Sequence, residues 1–177
     1  NFSEASFGMA ALNSYYATPS VADEHGFALA DAPWPHIFDP FRNAVAGKKV
    51  AVIGHFPFAP KALNQAADFY MLERSLNEGD YPDSAAEYIL PECDYVFITG
   101  SAFVNKTAPR LLELSRESFN VVLGPSTPLA PVLLEDYGVS QVTGMLPTSP
   151  LAMFEGLSGT DAGTTMFEWG HRVELSA

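Results

Sequence analysis

The sequence predicts an α/β protein with a doubly wound, mainly parallel five-stranded sheet and helices on both faces. Short apolar runs alternate with helical patterns from residue 48 onward, and a glycine ends several of these runs. Strands that alternate with helices favour parallel pairing, because each crossover between parallel strands carries a helix. The composition is 47% hydrophobic and 17% charged, which is typical of a folded core.

The strands follow from β-branched and aromatic runs bounded by glycine or polar residues. The five predicted strands are 49–54, 69–74, 94–100, 120–124 and a weaker one at 139–146. Prolines near the first turn and leucines at helical spacing indicate the helices. The predicted helices are 60–69, 83–90, 108–118, 127–138 and 149–157.

Three regions are predicted along the chain. Residues 1–46 contain a helix-like run at 6–16 and a linker or irregular surface segment at 17–41 that is rich in Pro, Ala and Asp. Residues 47–157 form the α/β domain. Residues 158–177 form a tail that begins with a flexible Gly/Thr stretch and ends in a short strand at 171–175.

The charge and the cysteine content exclude some classes of partner. A net charge of −12 argues against nucleic acid or an anionic membrane surface, because little positive charge is present to neutralise phosphates. No stretch is apolar over the length that spans a bilayer. The single cysteine, Cys93, cannot form an internal disulfide, which favours a cytoplasmic location.

Three predicted strand-to-helix turns share one feature: a glycine at the strand end, followed by polar side chains. They are Gly54–Pro57, Thr99–Thr107 and Gly124–Pro128. Because the carboxyl ends of parallel strands meet at one edge, the three turns together predict a polar ligand site there. Any single hydroxyl or amide is more simply explained as a helix cap. That alternative applies to Asn105, Thr107, Ser126 and Thr127.

His55 follows a buried strand directly and is the candidate catalytic residue. A histidine at this edge could act as a base, a hydrogen-bond donor or a metal ligand; alternatively it caps the turn or faces solvent. Neither Ser101 nor Ser126 lies in a GxSxG nucleophile elbow, so no acyl-transfer nucleophile is predicted.

Glu73 ends the second predicted strand about twenty residues after Gly54, where dinucleotide-binding folds place a ribose-binding acid. The remaining glycines of that fingerprint are absent, so ordinary NAD binding is not expected. Glu73 could hold the hydroxyls of another ligand or pair with Arg74 or Lys61.

Several motifs resemble the family described as "putative heavy-metal chelation", a group of otherwise unknown function. They are VIGHFPF, PECDYVFITGSAFVNKT, LLELSR and VVLGPSTPLAPVLLEDYGVSQVTGMLP, which span roughly residues 49–157. The resemblance implies a Rossmann-like carboxyl-terminal domain that follows a domain resembling the amino-terminal domain of enolase, with the active site in the cleft between them. It also implies that 6–16 is the closing helix of that first domain, most of which is absent from this sequence, so that the other half of the cleft is present only if another chain supplies it.

The resemblance implies that the matching residues form this chain's part of the site. They are Gly54, His55, Pro57, Thr99, Gly100, Asn105, Thr107, Gly124, Pro125, Ser126 and Thr127.

The predicted function is binding of a small polar or anionic metabolite at the carboxyl edge of the sheet. Two alternatives are a direct metal-handling protein and an enzyme that binds a nucleotide-like cofactor through Glu73. The candidate cofactor is a metal ion or a metal chelate, although soft metals prefer thiolate and imidazole clusters, which the sequence lacks. The predicted partners are a small-molecule ligand and either a second copy of the chain or another chain.

Overall fold

A computed structural model describes residues 1–159 and 162–177. The strands are β1 (Ala28–Leu29), β2 (Lys49–Ile53), β3 (Asp68–Glu73), β4 (Tyr81–Pro82), β5 (Tyr95–Thr99), β6 (Phe119–Leu123), β7 (Gln141–Pro147) and β8 (Gly170–Ser176). The helices are α1 (Phe2–Tyr16), α2 (Pro19–Glu24), α3 (Ala59–Ala62), α4 (Ala86–Ile89), α5 (Ser101–Val104), α6 (Ala108–Leu114), α7 (Val132–Glu135), α8 (Pro150–Leu157) and α9 (Ala162–Trp169).

The predicted α/β class is confirmed, but the sheet is larger than predicted and mixed. Its eight strands lie in the order β1-β8-β7-β6-β5-β2-β3-β4. Strands β2 to β7 pair in parallel, whereas β8 is antiparallel to β7 and β1 is antiparallel to β8. The five-strand prediction corresponds to β2, β3, β5, β6 and β7. The strands β1 and β4 are two residues long, too short for a period-two pattern to indicate them.

Two helices are much shorter than predicted. The helix expected at 127–138 is reduced to α7, and residues 127–130 are not helical. Pro128 and Pro131 explain this, because a proline disfavours helical backbone at the residue before it and removes a hydrogen-bond donor. The helix expected at 60–69 is reduced to α3, and the chain then turns directly into β3.

The tail also differs from its prediction. Two residues of the stretch predicted to be flexible, Thr160 and Asp161, lie outside the described residues. From residue 162 the chain forms α9 and then β8, which is longer than the strand expected at 171–175.

The sheet separates two hydrophobic cores. One lies under α4, α6 and α7 and includes Leu111 and Leu133. The other lies on the opposite face under α3, α8 and two 3-10 turns, Trp34–His36 and Asp39–Phe41. Part of the segment predicted as a linker is therefore buried core, since Phe38 and Phe41 pack against Phe97 of β5 and Trp34 packs beside Phe167.

Helix α1 lies across the carboxyl edge of the sheet. The Asn1 side chain accepts a hydrogen bond from the Glu4 amide and forms a capping box with Glu4 at the start of the helix. At its first residue the ring of Phe2 lies 5.5 Å from the Arg74 guanidinium, just after β3. At its last turns, Asn13 Nδ2 donates to the Ser126 carbonyl after β6, at 3.1 Å. The helix buries none of its residues and exposes four large apolar side chains, Phe2, Phe7, Leu12 and Tyr15.

Within the described residues, no helix combines the length and the apolar character that crossing a bilayer requires.

Candidate functional site

A pocket of about 750 Å³ opens at the carboxyl edge where β2, β3 and β5 end. Its walls come from the loops that follow β2 and β5, and its sides from α4 and α6. Six of the residues predicted from the sequence line it together: Gly54, His55, Glu73, Thr99, Asn105 and Thr107.

His55 is oriented by a buried carboxylate. Its Nδ1 lies 3.0 Å from Asp80 Oδ2, and the Asp80 side chain has no exposed surface. Burial by itself would raise the pKa of Asp80, but hydrogen bonds from Asn77 and His55 outweigh burial and lower that pKa. A carboxylate on Nδ1 holds the proton there and leaves Nε2 as the nitrogen that can accept a proton or contact a ligand.

Glu73 anchors the two loops around it. One carboxylate oxygen accepts the His55 amide at 3.0 Å, and the other accepts the amides of Arg74 at 2.7 Å and Ser75 at 3.3 Å. The carboxylate therefore bonds to backbone amides and not to the side chains of Arg74 or Lys61. It fixes the backbone position of His55 relative to β3.

The loop after β5 is held by its own polar groups. Asn105 Oδ1 accepts the Thr107 amide at 3.1 Å and the Thr107 hydroxyl at 2.6 Å. Between them, Lys106 has a φ of 68°, a left-handed backbone conformation that costs a non-glycine residue free energy. The Asn105–Thr107 hydrogen bonds stabilise that conformation and keep Lys106 at the pocket wall.

Most charges around the pocket are already neutralised. Arg110 bonds to Glu87 and Glu113, and Arg74 lies 3.7 Å from Asp83. Lys106 is the pocket-lining cation that forms no ion pair with any described residue. The pocket therefore offers one positive charge that has no ion-pair partner among the described residues.

The third predicted loop does not line this pocket. A β-carbon on Gly100 would lie 2.5 Å from the Thr127 amide nitrogen, so the loops after β5 and β6 pack backbone against backbone. Thr127 is buried, and its hydroxyl has no partner among the described residues. Gly124, with a φ of +124°, supports the turn, and Ser126 is held by Asn13 of α1.

The remaining predicted residues, Pro57 and Pro125, are exposed and lie outside the pocket.

The residues around the pocket do not fit a resident metal ion. Within 1–159 and 162–177, no group of three or more His, Cys, Asp or Glu side chains is placed to hold one. The carboxylates of Glu73 and Asp80 already accept hydrogen bonds from neighbouring groups, and Cys93 lies before β5 at the opposite edge, with its Sγ directed to the Ile89 carbonyl.

The sequence did not single out Lys106 and Arg110, which line the pocket, or Asp80, which bonds to His55 but does not itself line the pocket. Asp80 precedes a strand too short to predict, and only its contact with His55 identifies it. Lys106 could have been found, because it lies between two residues of a predicted loop.

The comparisons with known proteins agree with this architecture. A crystal structure of a protein of unknown function from the DUF364 family of Desulfitobacterium hafniense DCB-2 matches 100% of this chain and 69% of its own, with 44% identity and a TM-score of 0.88. A DUF364 protein of unknown function from Pyrococcus horikoshii has the same fold, with a TM-score of 0.85 at 21% identity over 100% of this chain and 70% of its own.

A curated relative, an uncharacterized protein of Methanocaldococcus jannaschii, is 29% identical over 101 residues. That match covers 54% of this chain and 39% of the relative, so the chain spans less than half of the relative's length. The model of the DUF364 family matches residues 36–173. This chain therefore belongs to the DUF364 family, which is described as "putative heavy-metal chelation".

Proposed function

We propose that the pocket after β2 and β5 binds a small anionic metabolite, alone or as a metal chelate. The carrying observation is that Lys106, unpaired and held in a left-handed conformation, lines the same pocket as the Asp80-oriented His55. A cation without an ion-pair partner and an oriented imidazole in one pocket suit a ligand with carboxylate or similar oxygen groups.

The strand order supports this location. The parallel strands run β4-β3-β2-β5-β6-β7, which corresponds to the 3-2-1-4-5-6 order of doubly wound, Rossmann-like sheets. Ligands of such sheets bind where the order reverses, and here that point lies between β2 and β5. His55 follows β2, and Lys106 is in the loop region after β5.

In this proposal any metal ion is bound by the small-molecule ligand as a chelate and not by the side chains of the protein. The pocket would supply Lys106 for the negative charge of the chelate, and Thr99 and Thr107 for polar groups. His55 Nε2 would accept or donate a hydrogen bond, and it is the group placed to move a proton if the bound molecule reacts.

The apolar surface of α1 supports a partner at this edge. Phe7 and Tyr15 are 77% and 60% exposed on a helix that lies across the end of the sheet. A domain from a second polypeptide, or from a second copy, could cover these side chains.

Calorimetry with citrate, ferric citrate, nickel citrate and the free metal ions tests the proposal. We expect citrate or its chelates to bind and Lys106→Ala to weaken binding by about tenfold, because a charged hydrogen bond is lost. The matched control is Lys61→Ala, which removes an exposed lysine outside the pocket and should leave affinity unchanged.

The same titrations separate the alternatives. His55→Ala should fold normally and lose the ligand response. Tight binding of a free metal ion, without citrate, would favour direct metal handling instead. Binding of an adenosine-containing cofactor that is lost in Glu73→Gln would favour a nucleotide-dependent enzyme. If none of the anions binds, or if Lys106→Ala and Lys61→Ala behave alike, the proposal is wrong.

A further inference from the structure

A second cavity lies at the other end of the sheet, between β8 and the segment that follows β1. Its volume is about 380 Å³, and it shares no lining residue with the first pocket. The residues that matter for its chemistry are Leu29, Asp31, Pro33, Trp34, Phe167 and Arg172. No part of the proposed function uses this cavity.

Arg172 is an unusual residue for this position. It lies within β8 opposite Met145 of β7, and only 5% of its surface is exposed. Its Nε and Nη1 are fully buried, and neither has a hydrogen-bond partner among the described residues. A buried guanidinium with unmade hydrogen bonds is costly, so a binding partner for it is expected.

Trp34 lines the same cavity and also has a buried hydrogen-bond donor without an acceptor among the residues that the structure describes. The residue is 6% exposed, and its Nε1 is buried without a partner in the described part of the chain. Arginine and the tryptophan indole are both donors only, so they cannot satisfy each other. Two residues that line the cavity therefore carry buried donors that need an acceptor.

The surrounding charges limit which acceptor fits. Asp31 lines the cavity, and Asp39 and Glu174 also act on Arg172 electrostatically. Asp39 already bonds to His36 and Arg42, and Glu174 accepts from Gln141. Because Arg42 already pairs with Asp39, the carboxylates left to act on Arg172 are Asp31 and Glu174, and they oppose a second negative charge on a ligand. A ligand with a single negative charge is therefore favoured over a dianion such as phosphate.

Apart from Asp31 and His171, the rest of the cavity wall is mainly apolar. Leu29 and Pro33 contribute aliphatic surface, and the rings of Trp34 and Phe167 lie 6.4 Å apart at its side. A wall of this kind suits the hydrocarbon body of a ligand and not a bare ion.

We propose that this cavity binds a small monocarboxylate with an apolar or aromatic body. The carboxylate accepts hydrogen bonds from Arg172, whose planar guanidinium matches its two oxygens, and from Trp34 Nε1. The apolar part of the ligand lies against Leu29, Pro33 and Phe167.

Benzoate is a suitable probe, with benzamide as its neutral counterpart of the same shape. We expect millimolar benzoate to raise the Tm of the 177-residue chain by several degrees, and benzamide and phosphate to raise it little or not at all. In a ¹H–¹⁵N spectrum the Trp34 indole resonance should move on addition of benzoate. Trp34→Phe identifies that resonance, since the chain has two tryptophans.

Three variants test the assignment of the donors. Arg172→Met should lower the affinity for benzoate at least about tenfold and should leave the unliganded Tm unchanged or higher, because an unsatisfied buried charge is removed. Arg172→Lys should keep the charge and still bind weakly. Arg116→Met, at an exposed arginine paired only with its neighbour Glu117, is the matched control and should bind as the parent does.

Four results would overturn the proposal. They are equal responses to benzoate and benzamide, a response to phosphate without one to benzoate, undiminished benzoate binding in both Arg172 variants, or an unmoved Trp34 resonance at saturating benzoate. Loss of citrate binding at the first pocket would not affect this cavity, since the two share no residue.

Discussion

Three loops have the same sequence signature but differ in their surroundings. They are the loops after β2, β5 and β6. Each has a glycine at the strand end followed by polar residues. The first two surround an open pocket, whereas the third is packed beneath α1 and against Gly100. A glycine at a strand end allows close approach, and the neighbouring elements decide whether a ligand or the protein itself fills that space.

Gly100→Ala would test the close packing between the loops after β5 and β6, and of the substitutions considered it should lower the stability most. The new β-carbon would lie 2.5 Å from the Thr127 amide nitrogen and 2.8 Å from its Cα, and backbone atoms cannot move away as a side chain can. We expect a loss of about 3 kcal/mol in the free energy of unfolding, measured by urea denaturation.

Gly8→Ala is the matched control for that substitution. Gly8 lies within α1 with no atom within 4 Å of its added β-carbon, so the change should be neutral or stabilise the protein by up to about 1 kcal/mol. Equal stability of the two variants would contradict the close packing of Gly100 against Thr127.

Asp80→Asn tests the open pocket after β2 and β5, where the polar groups are arranged before any ligand binds. The buried carboxylate accepts from the Asn77 amide at 3.0 Å and from His55. Loss of these charged hydrogen bonds should cost about 2 kcal/mol of unfolding free energy at pH 7 and should reduce ligand binding through His55. Unchanged stability together with unchanged binding would contradict the positioning role.

The stability of Asp80→Asn relative to the parent should also depend on pH, and the direction of that dependence can be checked. The pKa of Asp80 is lowered on folding, so its contribution is complete above the ordinary value of 3.8 and is lost as the pH falls through the lower folded value. The stability difference between the parent and Asp80→Asn should therefore be constant near neutrality and shrink below about pH 4. A difference that grew on acidification would contradict the lowered pKa.

Asn13→Ala should have the smallest effect and tests whether α1 closes the third loop. The Asn13 amide donates to the Ser126 carbonyl at 3.1 Å, and its loss should cost about 1 kcal/mol and speed hydrogen exchange in the loop after β6. Asn43→Ala, at an exposed position without a hydrogen bond from its side chain, is the control. Exchange rates equal to those of the parent would show that α1 does not protect the loop.

Local patterns were enough to identify the α/β class and the five longer parallel strands. Apolar runs such as 49–54 are buried on both faces and continuous along the chain, so they are visible without knowledge of the partners. The carboxyl edge follows from the parallel arrangement alone, and the structure brings His55, Asn105 and Thr107 to one pocket there.

Packing between distant segments determined the rest. The antiparallel β8, the buried aromatic residues of the supposed linker and the position of α1 over Ser126 each depend on contacts across many residues of sequence. The same is true of the His55–Asp80 pair and of Arg172, whose buried nitrogens have no partner in the part of the chain that the structure describes. Local composition sets which segments become strands or helices, whereas burial and hydrogen bonding of individual side chains depend on neighbours that are brought together only when the chain folds.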